Sequence, residues 1–474
     1  MIKPTEEQQA VIGWRGNQLI VNAFAGTGKT STLVEYAKAN PQLRMLYVAF
    51  NRAVREEAEA KFPRNVTCKT THQLAYAVFG RSMKDRLRPN LQLMDVAQGI
   101  DSHNWMLVRA VQDTLKTFMA SGDSRILVQH TPFAPAAEIR GIVTPAKVIA
   151  DSTALWQRMT SPQSAYPVTH DTYLKLYQLS QPDLSQRFDV ILFDEAQDAN
   201  PVTHDILLNN HAKIVMVGDA HQQIYRFRGA VDALKSPKLT SADRLWLTHS
   251  FRFGRCIADA ANALLSLDGE TKKIIGRGGD DILLPEAPKG KQHRALLSRT
   301  VSGVIESALV AVKDREKIFF VNGISAYRVD DLINLHWFSR NEKGKLKNSQ
   351  LASKYKNYQE YREIAEASGD AEMLLSVKII DKFYPLPKKI ADLQKHIVTD
   401  ERQATLTVTT AHRAKGLEWN TVQLNDDFPD ILDPDMDNQT RTDEINLLYV
   451  ATTRARKTLV ANQILLAALK RFRR

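Results

Sequence analysis

Cysteine is nearly absent. Cys68 and Cys256 are the only two in 474 residues, too few for a disulfide framework or a zinc ribbon and in keeping with a reducing compartment. No apolar run reaches the ~20 residues that span a bilayer, and no charged-then-apolar leader opens the chain. A soluble, intracellular protein without a membrane partner is therefore expected. Internal repeats and low-complexity linkers are also missing, which argues against a solenoid or a tethered array. Acid is short relative to base: 53 Asp and Glu against 64 Lys and Arg give a net charge of +11, and the chain ends in the basic run "LKRFRR". That excess suits a polyanionic partner, most simply a nucleic acid, although basic composition alone is common to many proteins. The length suggests about two to four domains. Polar stretches with Gly and Pro mark possible boundaries at 80–90, 266–290 and 340–349, and 313–401 reads as mostly helical and poor in chemical motifs.

What is present begins with a glycine loop. "NQLIVNAF" is short and apolar, as a buried strand is, and "STLVEYAKAN" has helical spacing with Leu33, Val34 and Ala37 on one side. Between them stands "AGTGKT". Strand, Gly loop and helix in that order form a phosphate-binding context. Gly26 and Gly28 let backbone N–H groups turn toward an anion, and the helix N-terminus adds partial positive charge. Lys29 can reach terminal phosphates and the Thr30 hydroxyl can ligate Mg²⁺. Ala23 stands where the strict pattern has its first glycine. The alternative is an ordinary strand–helix turn with a solvated lysine.

Further along, "FDVILFDEAQDAN" is a buried-strand pattern running into acids. Asp194 can hold Mg²⁺ and Glu195 can activate a water; the alternative is a solvated polar loop. "KIVMVGDAHQQIYRFRGA" then offers another buried strand with a polar tip. Gln222 is placed to sense a terminal phosphate. Tyr225 and Phe227 alternate with Arg226 and Arg228, a mixture that suits base stacking and phosphate contact on a single strand; the alternative is a pair of core aromatics.

With these elements in order, the chain resembles the superfamily 1 helicases of the UvrD/Rep type, and within them the helicase part of the F-box DNA helicase and its bacterial and phage relatives. "PTEEQQAVI" resembles the Q motif, "AGTGKT" motif I, "VAFNRAVREE" motif Ia, "TTHQLAY" motif Ib, "DEAQD" motif II and "GDAHQQIYRFRGA" motif III. "LTHSFRFG" resembles the segment carrying an adenine-stacking aromatic and a phosphate-binding arginine. "ALLSRT" resembles motif IV, "VTTAHRAKGLEWNTV" motif V and "NLLYVATTRAR" motif VI. The tract "VTHDTYLKLYQLSQPDL" points to the F-box branch.

The resemblance implies an α/β fold of two RecA-like P-loop motor domains, parallel sheets with helices on both faces, each carrying a mainly helical insertion. The first motor is expected at 1–79 and 181–246 with its insertion at 80–180. The second is expected at 247–312 and 402–474 with its insertion at 313–401. ATP and Mg²⁺ are the implied cofactors, bound between the two motors. Gln8 would read the adenine edge, Phe251 would stack on the adenine and Glu418 would take the ribose hydroxyl. Ala25, Gly26, Thr27, Gly28, Lys29, Thr30 and Ser31 would surround the phosphates. Arg252 and Arg454 would be arginine fingers, acting with the catalytic set of Lys29, Glu195 and Gln222. Asn51, Arg52, Thr71, His72, Tyr225, Phe227, Arg228, His412 and Arg413 would line the DNA path.

Ser31 and Val301 depart from the family pattern, where Arg and Asn are usual, and the second insertion is short. Neither an F-box nor a nuclease-like tail accompanies the motifs, so a bare motor, monomeric in isolation, is expected. The implied activity is ATP-driven movement on single-stranded DNA, 3′ to 5′, with unwinding at single-strand/duplex junctions. The alternative is a nucleotide-gated nucleic-acid-binding or assembly module without processive movement. Single-strand-binding protein and recombinase filaments are possible partners. The compartment would be the nucleoid-associated cytoplasm of a bacterium or phage host, or the nucleus of a eukaryote.

Overall fold

The computed structural model describes residues 3–132, 143–226, 232–287, 292–347, 350–368 and 371–472. The chain divides into two compact units: Met1–Ala23 with Gly28–Leu247, and Phe24–Thr27 with Thr248–Arg474. Both are mixed α/β with parallel sheets. Among the described residues no helix is long and apolar enough to cross a membrane.

The first unit is built on strands β1 (Gln18–Ala23), β2 (Met45–Val48), β3 (Val66–Lys69), β4 (Val190–Phe193), β5 (Lys213–Gly218) and β6 (Asp243–Leu247). They lie in the order β3-β2-β4-β5-β1-β6 and every pairing is parallel. Strands β2 and β4 are buried at every position, as their uninterrupted apolar sequences require of a sheet covered on both faces. The register sets Asn22 against Gly218 and Phe193 against Met216. The chain segments that follow β1, β4 and β5 therefore leave from one edge of the sheet, where ligands bind in open parallel sheets. After β3 the chain runs through helices Thr71–Val78, Trp105–Ala120, Pro145–Thr160 and His170–Leu179 before it re-enters at β4.

In the second unit the short strands β7 (His249–Ser250) and β8 (Ile275–Gly276) pair with each other. The main sheet contains β9 (Ile282–Leu284), β10 (Arg294–Ser298), β11 (Ile318–Phe320), β12 (Leu406–Thr410), β13 (Trp419–Leu424) and β14 (Ala455–Val460). Its order is β11-β12-β10-β13-β14-β9, all parallel. Between β11 and β12 lie helices Val329–Ser339, Tyr358–Ser368, Ala371–Lys382 and Leu386–Gln394, among others. Strand β11 falls inside the span 313–401 expected as helical insertion. Its run "IFF" is short, apolar and paired with β12 through Ile318–Leu406, so the sheet claims these residues before the helical stretch begins.

Candidate active site

The loop after β1 turns on two glycines with positive φ, Gly26 at 74° and Gly28 at 79°. Gly28 caps helix Lys29–Lys38 without a side chain, which leaves the first-turn N–H groups directed at the loop's concave side. Thr27 is buried and its hydroxyl donates to Phe24 O at 2.9 Å. The Gln8 amide Oε1 accepts from Thr5 N at 3.1 Å within a capping box. Its Nε2 lies beside Gly28, 3.1 Å from where a Cβ would stand. Ser31 is exposed.

Three carboxylates gather around Lys29. Its Nζ is 3.3 Å from Glu195 Oε1, and its side chain is only 11% exposed. Burial acts to lower the Lys29 pKa, but the carboxylates of Glu195, Asp219 and Asp194 outweigh it and hold the ammonium above its usual value. The Thr30 hydroxyl donates to Asp194 Oδ2 at 2.6 Å, and Tyr47 OH donates to the same oxygen at 3.1 Å. The Glu195 backbone N–H donates to Asp194 Oδ1 at 2.9 Å. Asp194 is 3% exposed. Burial and the neighbouring Glu195 raise its pKa, against Lys29 and the Thr30 hydroxyl.

Glu195 itself sits in the left-handed region at φ 51°, with Oε2 accepting from Gln197 Nε2 at 2.5 Å. The other end of the Gln197 amide accepts from Asp219 N at 3.1 Å. A Cβ on Gly218 would stand 2.5 Å from that Oε1, so only glycine admits the contact. Gln222 is buried and donates to Asp219 Oδ2 at 2.7 Å. Asp219, Gln197 and Tyr47 thus belong to a cluster that local spacing did not single out. The one sequence signal for Asp219 is that an acid ends an apolar strand, the pattern that marks Asp194.

In the second unit Phe251 is half-buried and its N–H donates to Gly26 O at 2.8 Å; Ala25 N donates to Tyr449 OH at 3.0 Å. Arg252 donates from Nε to Glu418 Oε2 at 2.8 Å and from Nη1 to Thr453 O at 3.1 Å. Arg456 approaches Glu418 Oε1 at 3.4 Å. Arg454 is 1% exposed. It donates to Val450 O at 2.9 Å and Leu417 O at 3.4 Å. The structure therefore places Arg252 with Glu418 and buries Arg454.

The residues expected along DNA are scattered in environment. Tyr225 is half-buried with its ring parallel to that of Phe50, centroids 6.5 Å apart and planes at 8°. Phe50, which the sequence reading did not single out, is 52% exposed. Next to it Asn51 caps a helix by accepting from Val54 N at 2.9 Å, and the exposed Arg52 pairs with Glu56 at 2.8 Å. His72 lies 3.5 Å from Asp171. Thr71 is buried, its hydroxyl 3.3 Å from that of Thr203. His412 is half-buried. Arg413 donates to Ala326 O at 2.6 Å and stacks over Tyr327 at 4.3 Å. Phe227 and Arg228 lie outside the described residues.

Hard oxygen donors suit Mg²⁺, which takes one or two protein ligands and completes its shell with phosphate and water. Thr30 and Asp194 are such donors and already touch. Among the described residues no group of three or more His, Cys, Asp or Glu is placed to hold a metal.

Comparison with known proteins shows which family the chain resembles. Residues 168–234 match the UvrD/REP helicase N-terminal domain and residues 334–464 the UvrD-like helicase C-terminal domain. The chain is 35% identical to F-box DNA helicase 1 of Gallus gallus, over 98% of its own length and 49% of the relative's. It is 32% identical to F-box DNA helicase protein 1 of Schizosaccharomyces pombe, over 97% of its length and 57% of the relative's. It is 26% identical to the ATP-dependent DNA helicase PcrA of Leuconostoc citreum, over 66% of its length. The chain spans about half the length of the curated relatives it matches.

Proposed function

The chain belongs to the UvrD-like helicase family, and from that premise we propose that it is an ATP-driven DNA helicase that moves along single-stranded DNA, 3′ to 5′, and unwinds duplex or strips bound protein. The observation that carries this reading is the cluster of Lys29, Thr30, Asp194, Glu195 and Asp219 at one edge of the first sheet. A lysine hemmed in by three carboxylates, beside a glycine loop that opens a helix, is arranged to exchange its carboxylate partner for a phosphate.

Mg²⁺, when bound, supplies charge neutralisation at the transferring phosphoryl group. Thr30 and Asp194 would hold it. Lys29 moves to the terminal phosphates, which releases the Glu195 carboxylate to accept a proton from the attacking water. Gln222, held by Asp219, reports the terminal phosphate. Gln8, Phe251 and Glu418 bind adenine and ribose, and Arg252 and Arg454 stabilise charge in the transition state. Phe50 and Tyr225 offer parallel ring faces for bases. Asn51, Arg52 and His72 supply polar contacts along the strand. The domain division proposed from the sequence, two motors with insertions at 80–180 and 313–401, is kept with β11 moved into the second motor. Single-strand-binding protein and recombinase filaments remain proposed partners, in the compartment where the DNA is.

The test is strand displacement on 3′-tailed and 5′-tailed duplexes with ATP, alongside ATPase assays with and without DNA. Unwinding of the 3′-tailed substrate alone is expected. DNA-stimulated ATPase without displacement or translocation favours a nucleotide-gated binding module instead.

A further inference from the structure

Phe251 and Arg252 lie outside the main sheet of their unit. Strand β7 ends at Ser250 and pairs with β8 in a separate sheet of two strands, two residues a side. Such a pair is marginal in water by itself, so something else must fix the backbone at Arg252. That role falls to Ile275–Asp281, "IGRGGDD", inside the polar stretch 266–290 that reads from sequence as a boundary. Ile275 N donates to Thr248 O at 3.0 Å, Arg277 N to Ser250 O at 2.7 Å and Gly278 N to Phe253 O at 2.9 Å. A Cβ on Gly278 would collide with Phe253 N and stand 2.6 Å from the Arg252 carbonyl carbon. The strap Ile275–Asp281 is therefore laid backbone to backbone against the residues on either side of Arg252.

Asp281 closes the strap. Helix Arg255–Leu267 begins just after Arg252, and its N-cap, Gly254, has no side chain to satisfy the first N–H groups. Asp281 does so from the strap: Cys256 N donates to Oδ1 and Ile257 N to Oδ2, each at 2.9 Å. A carboxylate that accepts two N–H bonds at a helix N-terminus makes a charge-assisted cap. Arg252 is thus held on one side by Phe251 N bonded to Gly26 O at 2.8 Å and on the other by a helix start stapled to the strap. Its neighbour Asp280 is exposed and makes no side-chain hydrogen bond or ion pair among the described residues. An arginine finger works through the position of its guanidinium at the developing charge, and an error of about 1 Å can cost about 10²-fold in rate. The Arg252 side chain must exchange Glu418 for phosphate to act, so the part that can be fixed in advance is its backbone.

We propose that Asp281 is a positioning residue for ATP hydrolysis: by stapling the strap to the start of helix Arg255–Leu267, it holds the Arg252 backbone where the guanidinium can meet the transferring phosphoryl group. This rests on the reading of Arg252 as an arginine finger. The experiment measures kcat and KM for ATP in DNA-stimulated hydrolysis, with a thermal melt on each preparation. The proteins are wild type, Asp281→Ala, Asp281→Asn, Asp280→Ala, Arg252→Ala and Arg252→Ala/Asp281→Ala. Asp281→Ala removes one cap from one helix and should remain folded. Its kcat should fall by about ten- to a hundredfold, with a smaller change in KM, the pattern of an interaction made in the transition state. Asp281→Asn keeps an acceptor at the cap and should retain most of the wild-type kcat. Asp280→Ala removes the same charge without those bonds and should match wild type. Because Asp281 acts through Arg252, its removal in the Arg252→Ala background should cost no more than about twofold. Wild-type kcat in Asp281→Ala, a full-size loss repeated in the absence of Arg252, or the same loss in Asp280→Ala overturns the proposal. If Arg252→Ala itself keeps the wild-type kcat, the finger reading fails and the positioning role falls with it. If Arg252→Ala loses turnover while Asp281→Ala keeps it, the positioning role alone falls.

Discussion

Glu418 and Arg252 meet at 2.8 Å, carboxylate oxygen to Nε–H. The two groups proposed to bind ribose and to stabilise the transferring phosphoryl group thus hold each other. Glu418 is 40% exposed and Arg252 19%. A pair this open to water contributes about 0–1 kcal/mol, little enough for a nucleotide to displace. Arg252→Ala should lower DNA-stimulated ATP turnover by about 10³-fold or more, the usual worth of an arginine finger, with a melting temperature close to wild type. Steady-state ATPase and a thermal melt on one preparation check this. A lowered melting temperature with turnover intact would make Arg252 a structural residue.

Asp194 tests the phosphate site from the stability side. Burial and Glu195 raise its folded-state pKa above the unfolded value. A carboxyl shifted upward favours folding fully below its unfolded pKa, and that contribution is lost as pH rises through the folded pKa. At neutral pH the charged group is therefore held at a cost. Asp194→Asn should raise the melting temperature of the nucleotide-free protein near pH 7, and the gain should shrink as pH falls toward the unfolded carboxyl value. The hydroxyls of Thr30 and Tyr47 can rotate to accept from the new amide, so the local bonds survive. The same variant should lose Mg²⁺-dependent turnover. If Asp194→Asn melts below wild type at neutral pH, the carboxylate stabilises the empty site.

Glu195→Gln separates chemistry from binding. Removal of a general base costs about 10²–10⁴ in rate, whereas the loop, Lys29 and Thr30 remain to bind phosphate. ATP affinity by equilibrium titration should stay within a few-fold of wild type while hydrolysis collapses. Equal losses in both would place Glu195 among the binding groups, as the partner that orients Lys29.

How much of this was legible depends on how far apart the cooperating residues lie. The glycine loop is contiguous, so Gly28, Lys29 and Thr30 could be assigned from spacing, and the α/β class followed from strand–loop–helix order. Thr30 and Asp194 lie 164 positions apart, and the register of the parallel sheet unites them, so motif order anticipated the pair but spacing did not. The Gln197 bridge between Glu195 and Asp219 had no signal, because a buried amide looks like any loop glutamine. Arg454 is buried with no sequence signal for it: arginine is rarely buried unless its donors are met, and backbone carbonyls accept from it here. Strand β11 was missed because three residues are too few to show a period.

Lys175 offers a pH test away from the nucleotide. It is fully buried on helix His170–Leu179. It donates to Ser121 O at 2.9 Å and Asp123 O at 2.5 Å and lies 4.4 Å from the Phe118 ring centre. Burial pulls its pKa down to about 8, against the pull of Asp123 and Asp205. Between there and the ordinary lysine value of 10.5, the unfolded chain binds the proton and the folded protein does not, so stability rises with pH. The melting-temperature difference between wild type and Lys175→Met should shift in favour of wild type from pH 8 to pH 10. Every other titration is common to both proteins and cancels. Parallel melting curves across that range would show that the folded protein keeps the Lys175 proton.

Phe50 and Tyr225 test the link to DNA. Their rings are parallel, and Phe50 leaves half its surface to water, an arrangement a core pair would not have. Base stacking on an aromatic contributes ~1–3 kcal/mol by alanine substitution, roughly five- to 150-fold in Kd. Phe50→Ala should weaken single-strand binding by a factor in that range and reduce stimulation of the ATPase by DNA. Basal ATPase should hold, since Lys29 and Glu195 are untouched. Phe50→Trp should bind as well as wild type, because the larger face still stacks. If both rings serve one base, Tyr225→Ala added to Phe50→Ala should cost less than the sum of the two single changes. The competing role is packing: a buried Phe truncated to Ala costs about 3–5 kcal/mol, and melting temperature and basal ATPase would then fall together. A half-exposed ring should not carry that cost, so a large loss of thermal stability in Phe50→Ala with DNA stimulation preserved would remove the pair from the DNA path.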